Sequence, residues 1–165
     1  PPPYWAFAWA GGQALARYVL DNPELVRGKS VLDFGAGSGL VGLAAAKAGA
    51  ASVTAAEIDG FARAAIACNA KANGVTLTVR SDDVIGASGW DVILVGDLCY
   101  ERPLAERLMT WLTARPAATI LLGDPGRSYF PQHGLEKLAA YRVATSRDLE
   151  DRAIRDTGVY RLAPG

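Results

Sequence analysis

The 165-residue sequence lacks what several protein classes depend on. Two cysteines, Cys68 and Cys99, and the single His133 are too few for a disulfide framework or a structural zinc site. No apolar run reaches the roughly 20 residues of a membrane-spanning helix. Because 17 basic residues balance 17 acidic ones, the chain has no global positive field for nucleic acid or an anionic membrane. We therefore expect no metal, no membrane or nucleic-acid partner, and a reducing compartment.

The amino-acid composition and the short intervals between turn residues favour one soluble globular domain over residues 1–165, which we expect to be monomeric. Half of the residues are hydrophobic and 21% are charged, and the chain has neither an internal repeat nor a long linker. Basic charge comes from 13 Arg and only 4 Lys, a bias typical of a GC-rich bacterial genome. The chain begins with Pro1 instead of Met, so we expect a segment before it.

Short apolar strands alternate with helical patterns along most of the chain. The predicted strands are 30–34, 52–56, 75–79, 91–96 and 118–123, and the predicted helices are 13–20, 40–48, 61–73 and 101–112. Two segments near the end, 141–143 and 158–162, could form a closing antiparallel pair. Alternation of this kind predicts an α/β fold, a parallel sheet with helices on both faces.

Carboxylates follow the predicted strands. In an open parallel sheet, ligands bind beyond the carboxyl ends of the strands, so these side chains are candidates for a binding site. Any single one of them could instead be a helix N-cap, which Asp favours. The strand-end acids are Asp33, Glu57, Asp82, Asp83, Asp97 and Asp124.

A glycine-rich loop follows the first strand, with the pattern Asp33-x-Gly35-x-Gly37-x-Gly39. Glycines permit a tight turn and the close approach of a ligand to the backbone. The dinucleotide fingerprint would need its third glycine at the position of Leu40. Because a carboxylate at Asp33 would repel a pyrophosphate but could hold an amino group, an amino-acid-bearing nucleotide fits better than NAD.

Residues that follow the second and third predicted strands supply hydrogen-bond acceptors for such a nucleotide. Glu57 lies about 20 residues beyond the glycines, where a carboxylate can accept from both ribose hydroxyls, and we assign Ile58 beside it to the same pocket. Asp82 or Asp83 could accept from the adenine amine, although this acidic pair could also be a solvated loop. The ordered set predicts a site for S-adenosylmethionine, with S-adenosylhomocysteine as product.

Asp33-Phe-Gly-Ala-Gly-Ser-Gly39, the acidic end of the second strand and Asp97-Leu-Cys-Tyr100 resemble the seven-strand methyltransferases of the D-x-x-Y group, mostly protein lysine methyltransferases. Segments 3–18, 90–100 and 123–127 narrow the resemblance to the electron transfer flavoprotein beta-subunit lysine methyltransferases. The resemblance implies a Rossmann-like class I methyltransferase fold and N-methylation of lysines, principally on that subunit. Animal members are mitochondrial, whereas a bacterial one would be cytoplasmic.

The resemblance also implies roles for single residues. Trp9 and Gly35 would contact S-adenosylmethionine, and Asp97 and Tyr100 would face the lysine. The sequence departs from the animal members at three positions, of which Cys99 would widen the acceptor pocket and so puts the exact substrate and the degree of methylation in question. It has Ala10 where Pro is usual, Glu57 where Asp is usual and Cys99 where an aromatic residue is usual.

A lysine attacks only as the neutral amine, so the site must accept an ammonium, lose its proton and align the lone pair. We assign Asp97 to capturing and orienting the ammonium, with the proton leaving through water, and Tyr100 either to a hydrogen bond with the amine or to the wall of the channel. The alternative is that Asp97 is a plain helix N-cap. We interpret Cys99 as a small pocket-lining residue, since no histidine is available to activate it.

Flanking residues extend the predicted site. Trp9 is expected over the cofactor and Tyr4 or Trp5 near the acceptor channel, although this aromatic cluster could instead be a hydrophobic flap packed on the edge of the sheet. Arg127, after the turn at Pro125-Gly126, is expected in contact with the substrate.

Three alternatives stay open. A methyltransferase of a small molecule or of another protein, such as a ribosomal protein, is the nearest one. A binding module without activity and an NAD-dependent oxidoreductase are the others. Methylation of nucleic-acid bases is disfavoured, because residues 97–100 lack the two prolines typical of that chemistry.

Overall fold

A seven-stranded sheet organises the computed structural model of the protein, which describes residues 2–164. The strands have the order β3-β2-β1-β4-β5-β7-β6, in which β1 to β5 are parallel and β7 pairs antiparallel with both β5 and β6. Their bounds are β1 (Ser30–Phe34), β2 (Ser52–Ala56), β3 (Thr78–Arg80), β4 (Val92–Gly96), β5 (Thr119–Asp124), β6 (Leu135–Ala144) and β7 (Ile154–Leu162).

Residues 2–164 contain four α-helices, of which the first precedes β1 and the other three each connect two consecutive parallel strands. They are α1 (Ala10–Asp21), α2 (Leu40–Lys47), α3 (Gly60–Ala72) and α4 (Arg102–Thr113), with short 3-10 helices at Tyr4–Ala6 and Pro23–Leu25. The side chain of Asp59 caps α3 by accepting from the N–H groups of Phe61 and Ala62. Across residues 2–164, no helix is both long enough and apolar enough to cross a membrane.

Two hydrophobic cores lie on opposite faces of the sheet because successive side chains of a strand alternate between its faces. Val92 and Leu94 of β4 pack in the core that includes α1 and α2, whereas Ile93 and Val95 pack in the core that includes α4. Strands buried on both faces explain the continuous apolar run of β4 in the sequence. The expected parallel sheet with helices on both faces is confirmed.

The predicted bounds are most accurate in the middle of the sheet. The bounds of β1 and β2 match the prediction, while β3 lies later than the predicted 75–79 and is shorter. β3 is an edge strand with one polar and one charged residue, so its hydrophobic pattern is weak. β6 and β7 are longer than expected, because their hairpin pairing continues along exposed residues. The single domain over 1–165 stays a prediction.

Candidate active site

A cavity of about 560 Å³ opens beyond the carboxyl ends of the parallel strands. The strand order grows outward in opposite directions from β1 and β4, and this switch point is where open α/β sheets bind ligands. The volume is in the range of small-molecule sites. Its walls come from five parts of the chain: the N-terminal segment with the start of α1, the glycine loop, the ends of β2 and β4, and Arg127 beyond β5. The residues lie within 2–12 and 33–41, at 57 and 59, at 96–98 and 100–101, and at 127.

Most of the predicted site residues line this cavity. They are Tyr4, Trp5, Trp9, Asp33, Gly35, Gly37, Glu57, Asp97, Tyr100 and Arg127. Strands whose carboxyl ends share one edge of the sheet bring these distant sequence positions together. Their roles toward a ligand stay predictions.

The glycine loop between β1 and α2 passes directly under the cavity. Gly35 has φ +64°, and a Cβ there would lie 2.5 Å from Cδ1 of Leu98, closer than real Cβ atoms approach. The positive φ therefore favours glycine at this position, and a Cβ there would force the Leu98 side chain to move. The loop leads into the first residue of α2, Leu40.

Asp33 supplies a buried carboxyl beside the loop. Its Oδ2 accepts a hydrogen bond of 2.8 Å from the N–H of Gly42 in α2. Burial raises the pKa of Asp33 to about 7, against the lowering effect of that bond and with a smaller raising effect of Glu57. Asp33 can therefore change protonation near neutral pH.

Glu57 connects the glycine loop to the end of β2. Its Oε2 accepts from the N–H of Gly37 at 2.8 Å, and its Oε1 accepts from the N–H of Asp59 at 3.0 Å. Each oxygen keeps a further lone pair for a hydroxyl donor. The carboxylate thus fixes the loop and still presents two acceptors to the cavity.

Asp97 is held in an uncommon backbone conformation at the end of β4. Its φ is +57°, and its N–H donates to the carbonyl of Gly123 at 2.9 Å. The carboxylate is buried and accepts from the N–H of Gly11, at the start of α1, at 3.0 Å. A non-glycine residue with positive φ persists where its surroundings enforce it, and such residues cluster at functional sites.

Arg127 forms a two-point ion pair with the predicted catalytic carboxylate. Its Nε lies 2.6 Å from Oδ1 of Asp97 and its Nη2 lies 3.0 Å from Oδ2. On its other side it donates to Glu150, which also pairs with Arg155 at 3.3 Å. Burial opposes the charge of Arg127, but the bonds to Asp97 and Glu150 outweigh it and hold the pKa above its ordinary value.

Sequence reasoning missed Glu150 and this ion pair. Glu150 lies on the loop between β6 and β7, 23 residues from Arg127, in a segment without hydrophobic periodicity. The turn at Pro125-Gly126 pointed to Arg127 but not to its partner. No signal in a single sequence predicts that Glu150 is 6% exposed.

An aromatic segment covers the cavity from the N-terminal side. The indole N–H of Trp9 donates to the carbonyl of Tyr4 at 2.7 Å, and the Phe7 and Trp9 ring centroids lie 5.7 Å apart. The guanidinium carbon of Arg127 lies 5.7 Å from the Trp9 ring centroid, within cation–π distance. Trp9 is therefore in contact range of the Asp97 ion pair.

Tyr100 and Cys99 have different surroundings despite being neighbours in sequence. Tyr100 is 53% exposed at the cavity wall, and partial burial together with nearby acids such as Glu101 raises its pKa. Cys99 is 2% exposed in the core that includes α4 and is absent from the cavity lining, so its expected pocket-lining position is wrong. Burial raises the pKa of the Cys99 thiol to about 12, which makes it a poor nucleophile.

Three predicted cofactor residues are not among the cavity walls: Ile58, Asp82 and Asp83. Ile58 is 75% exposed. Asp82 accepts from Nε of Arg80 at 3.0 Å, and Asp83 accepts from Nη2 of Arg107 at 2.6 Å. Both carboxylates thus have arginine partners, and their role toward adenine stays a prediction.

No group of three or more His, Cys, Asp or Glu residues among 2–164 is arranged to hold a metal ion.

Comparison with known proteins identifies related sequences. The sequence model of the family described as ribosomal protein L11 methyltransferase (PrmA) matches residues 13–98. The electron transfer flavoprotein beta subunit lysine methyltransferase of Danio rerio is 41% identical over 98% of this chain and 66% of its own length. The enzyme of the same name from Xenopus laevis is 40% identical over 98% of this chain and 70% of its own length. The chain therefore spans about two thirds of the relatives it matches.

A solved structure shares the fold. The ribosomal protein L11 methylase of Lactobacillus delbrueckii subsp. bulgaricus superimposes with a TM-score of 0.64 at 18% identity, over 96% of this chain and 81% of that one. At this identity the likeness establishes the fold alone. The expected class I methyltransferase fold is confirmed.

Proposed function

The chain belongs to the electron transfer flavoprotein beta subunit lysine methyltransferase family, and from that premise we propose that it transfers methyl groups from S-adenosylmethionine to protein lysines. The proposed substrate is the electron transfer flavoprotein beta subunit, which the names of the relatives specify. One observation carries the proposal: Asp33, Glu57 and Asp97 line one cavity around the glycine loop.

The donor set around the loop fits S-adenosylmethionine. The carboxyl of Asp33 can accept from the amino group of the methionine part, and both oxygens of Glu57 keep a lone pair for the ribose hydroxyls. At Gly35 the backbone borders the cavity with no side chain. When bound, the cofactor supplies an electrophilic methyl group on a sulfonium.

The lysine side of the site is formed by Asp97, Tyr100 and the aromatic segment at residues 4–9. The buried Asp97 carboxylate can accept an N–H of the amine, and the half-exposed Tyr100 hydroxyl is available at the cavity wall. Aromatic faces tolerate the positive charge that grows on the methylated nitrogen. The chain thus orients the amine and shields it from water, and we assign catalysis mainly to that positioning.

Proton removal requires no base on the chain in this proposal. The lone His133 lines a separate small cavity with Met109 and Arg115, away from Asp97. We assign release of the proton to solvent before the neutral amine donates to Asp97, which replaces the capture of an ammonium by Asp97 expected from the sequence. Methyl transfer then forms the N–C bond as the S–C bond breaks.

A second candidate substrate is a ribosomal protein. The match of the L11 methyltransferase family model to residues 13–98 favours it. That match covers the glycine loop and Asp97, which serve either substrate, but it ends before Arg127 and the C-terminal hairpin. The flavoprotein relatives align over 98% of the chain, so we place the flavoprotein subunit first.

The test is a methylation assay with a deuterated methyl donor. The protein is incubated with S-adenosylmethionine labelled on its methyl group and with purified electron transfer flavoprotein beta subunit from the same source, and labelled lysines are mapped by mass spectrometry. Parallel reactions contain ribosomal protein L11 or free lysine. We expect label on the flavoprotein subunit. Label confined to L11 would favour the second candidate, and no label on any protein would contradict the proposed activity.

The monomeric state and the bacterial cytoplasmic location stay predictions from the sequence.

A further inference from the structure

The acceptor positions of Asp97 are almost fully used. Oδ1 accepts from Nε of Arg127, and Oδ2 accepts both from Nη2 of Arg127 and from the N–H of Gly11. A carboxylate offers about four lone-pair positions, so about one is left, on Oδ1. An amine that reaches Asp97 therefore meets a single acceptor beside a fixed guanidinium.

Arg127 is held at this position from its far side as well. Its Nη2 donates to Oε1 of Glu150 at 2.8 Å, and Arg155 lies 3.3 Å from the other oxygen of Glu150. The side chains of Asp97 and Glu150 are 3% and 4% exposed, so moving the guanidinium away would leave the buried Asp97 carboxylate without a cationic partner and Glu150 with Arg155 alone. Because breaking a buried ion pair is strongly unfavourable, Arg127 acts as a fixed positive charge.

The pairing of Asp97 with Arg127 distinguishes the charged ammonium from the neutral amine. A free buried carboxylate would stabilise an ammonium and raise its pKa above the ordinary lysine value of about 10.4, which opposes attack on a methyl group. A neighbouring guanidinium repels the ammonium. A neutral amine needs one acceptor for an N–H and keeps its lone pair free, which matches what Asp97 still offers.

We propose that Arg127 is a positioning residue that makes the Asp97 site favour the uncharged amine. The inference rests on the proposed function in taking a lysine as the amine that docks there. The ammonium loses its proton to solvent, the neutral amine then donates one N–H to Oδ1 of Asp97, and Arg127 keeps the carboxylate paired throughout. This role differs from the substrate contact predicted from the sequence.

Most groups of the site keep one protonation state between about pH 7 and pH 9. Asp33 of the same cavity, whose pKa burial raises to about 7, titrates at the lower end of this range in wild type and variants alike, so the test rests on their difference. The titratable and charged groups around the ion pair are Glu57, Cys99, Tyr100, Glu101, Asp124, Glu150 and Arg155. Burial raises the pKa of Asp124 to about 6, so its carboxyl is ionised above that pH. The pKa of Cys99 is raised to about 12 and that of Tyr100 is also raised, so both stay protonated in this window.

The experiment measures amine binding and not methyl transfer. The affinity of n-butylamine for the full chain, with excess S-adenosylhomocysteine, is measured by NMR titration at pH 7, 8 and 9. A site that takes only the neutral form gains affinity close to tenfold per pH unit below about 10.4. We expect the amine affinity of the wild type to rise at least about tenfold from pH 7 to pH 9. The affinity of Arg127→Gln should rise by less than about threefold over the same range, and at pH 7 it should exceed the wild-type affinity.

Two further variants make the result specific. Arg127→Lys loses the two-point geometry but keeps the positive charge, so its amine affinity should still rise with pH. Arg17→Gln removes an exposed charge on α1 and should change nothing. If Arg127→Gln does not fold, the double variant Arg127→Gln and Glu150→Gln is measured in its place, because it removes both charges of that ion pair. Equal pH dependence with and without Arg127, or no amine binding at any pH, would overturn the inference. Absence of methyl transfer in the earlier assay would instead overturn the proposed function.

Discussion

The N–H of Gly11 donates a hydrogen bond of 3.0 Å to Oδ2 of Asp97, 86 residues away. This bond joins the first turn of α1 to the carboxylate at the end of β4, in buried surroundings. The contact requires the helix backbone to lie almost directly on the strand ends. A Cβ added at Gly11 would lie 2.3 Å from the carbonyl oxygen of Gly123 and 2.8 Å from Cβ of Asp97.

Gly11→Ala should therefore destabilise the fold and displace Asp97. The added methyl group meets backbone, which cannot rotate away, so we expect the free energy of unfolding to fall by about 2 kcal/mol or more. Gly12→Ala is the matched control, because its Cβ would meet only Val41 at 3.8 Å. Urea denaturation measures both variants. Equal stability of the two would contradict the close packing of α1 on the sheet.

Asp97→Asn should separate catalysis from cofactor binding. The amide keeps the shape of the side chain but loses its charge and one acceptor for Arg127, so we expect methyl transfer to fall by about 100-fold or more. Affinity for S-adenosylhomocysteine, measured by calorimetry, should stay within about threefold, because Glu57 and the glycine loop are unchanged. Asp21→Asn, in an exposed pair on α1, is the control. Undiminished turnover in Asp97→Asn would refute the role of Asp97.

Asp33 predicts a pH dependence of stability. Burial raises its pKa from about 3.8 to about 7, so from about pH 4 to pH 7 the folded state holds a proton that the unfolded state has lost. The stabilisation is complete below the unfolded pKa and is lost as the pH rises through 7, a change of up to about 4 kcal/mol.

Asp33→Asn carries no charge at any pH and isolates this effect. Its free energy of unfolding relative to wild type should increase steadily as the pH rises from about 4.5 to 7.5. Asp124, whose pKa is raised to about 6, acts in the same direction in both proteins and cancels in the comparison. Urea titrations at several pH values give the difference in the free energy of unfolding between the two proteins. A difference that does not change with pH would rule out a raised pKa of the Asp33 carboxyl.

The two cysteines should react very differently with a thiol reagent such as DTNB. Cys68 is exposed on α3, whereas Cys99 is buried and its thiol pKa is raised to about 12. We expect only Cys68 to react in the folded protein at neutral pH, and both cysteines in denaturant. Rapid reaction of Cys99 in the folded protein would show that the core that includes α4 is open.

Local sequence patterns were sufficient to predict the central strands of the sheet and the glycine loop. The apolar run of β4 and the glycines after β1 are short-range signals, so they predicted the sheet and the loop. The acids at the strand ends followed from the parallel topology, and Asp33, Glu57 and Asp97 do meet at one cavity. These features depend on periodicity and on a general rule of α/β sheets.

Long-range partners were not predictable from one sequence. The positive φ of Asp97 and its pairing with Arg127 depend on how α1, β5 and the loop after β6 pack together. Asp83 shows the same limit, because its partner Arg107 lies 24 residues further along on α4. Pairing across such distances has no periodic pattern, and it decides which carboxylates stay free for a ligand.

The central claim is that the methyl donor and the lysine amine meet between the glycine loop and Asp97. A crystal structure of the protein with S-adenosylhomocysteine tests it most directly. The account predicts the ribose hydroxyls at Glu57, the amino acid part beside Gly35 and Asp33, and the sulfur facing Asp97. Product bound at another place in the molecule, or reversed so that the sulfur points away from Asp97, would contradict it.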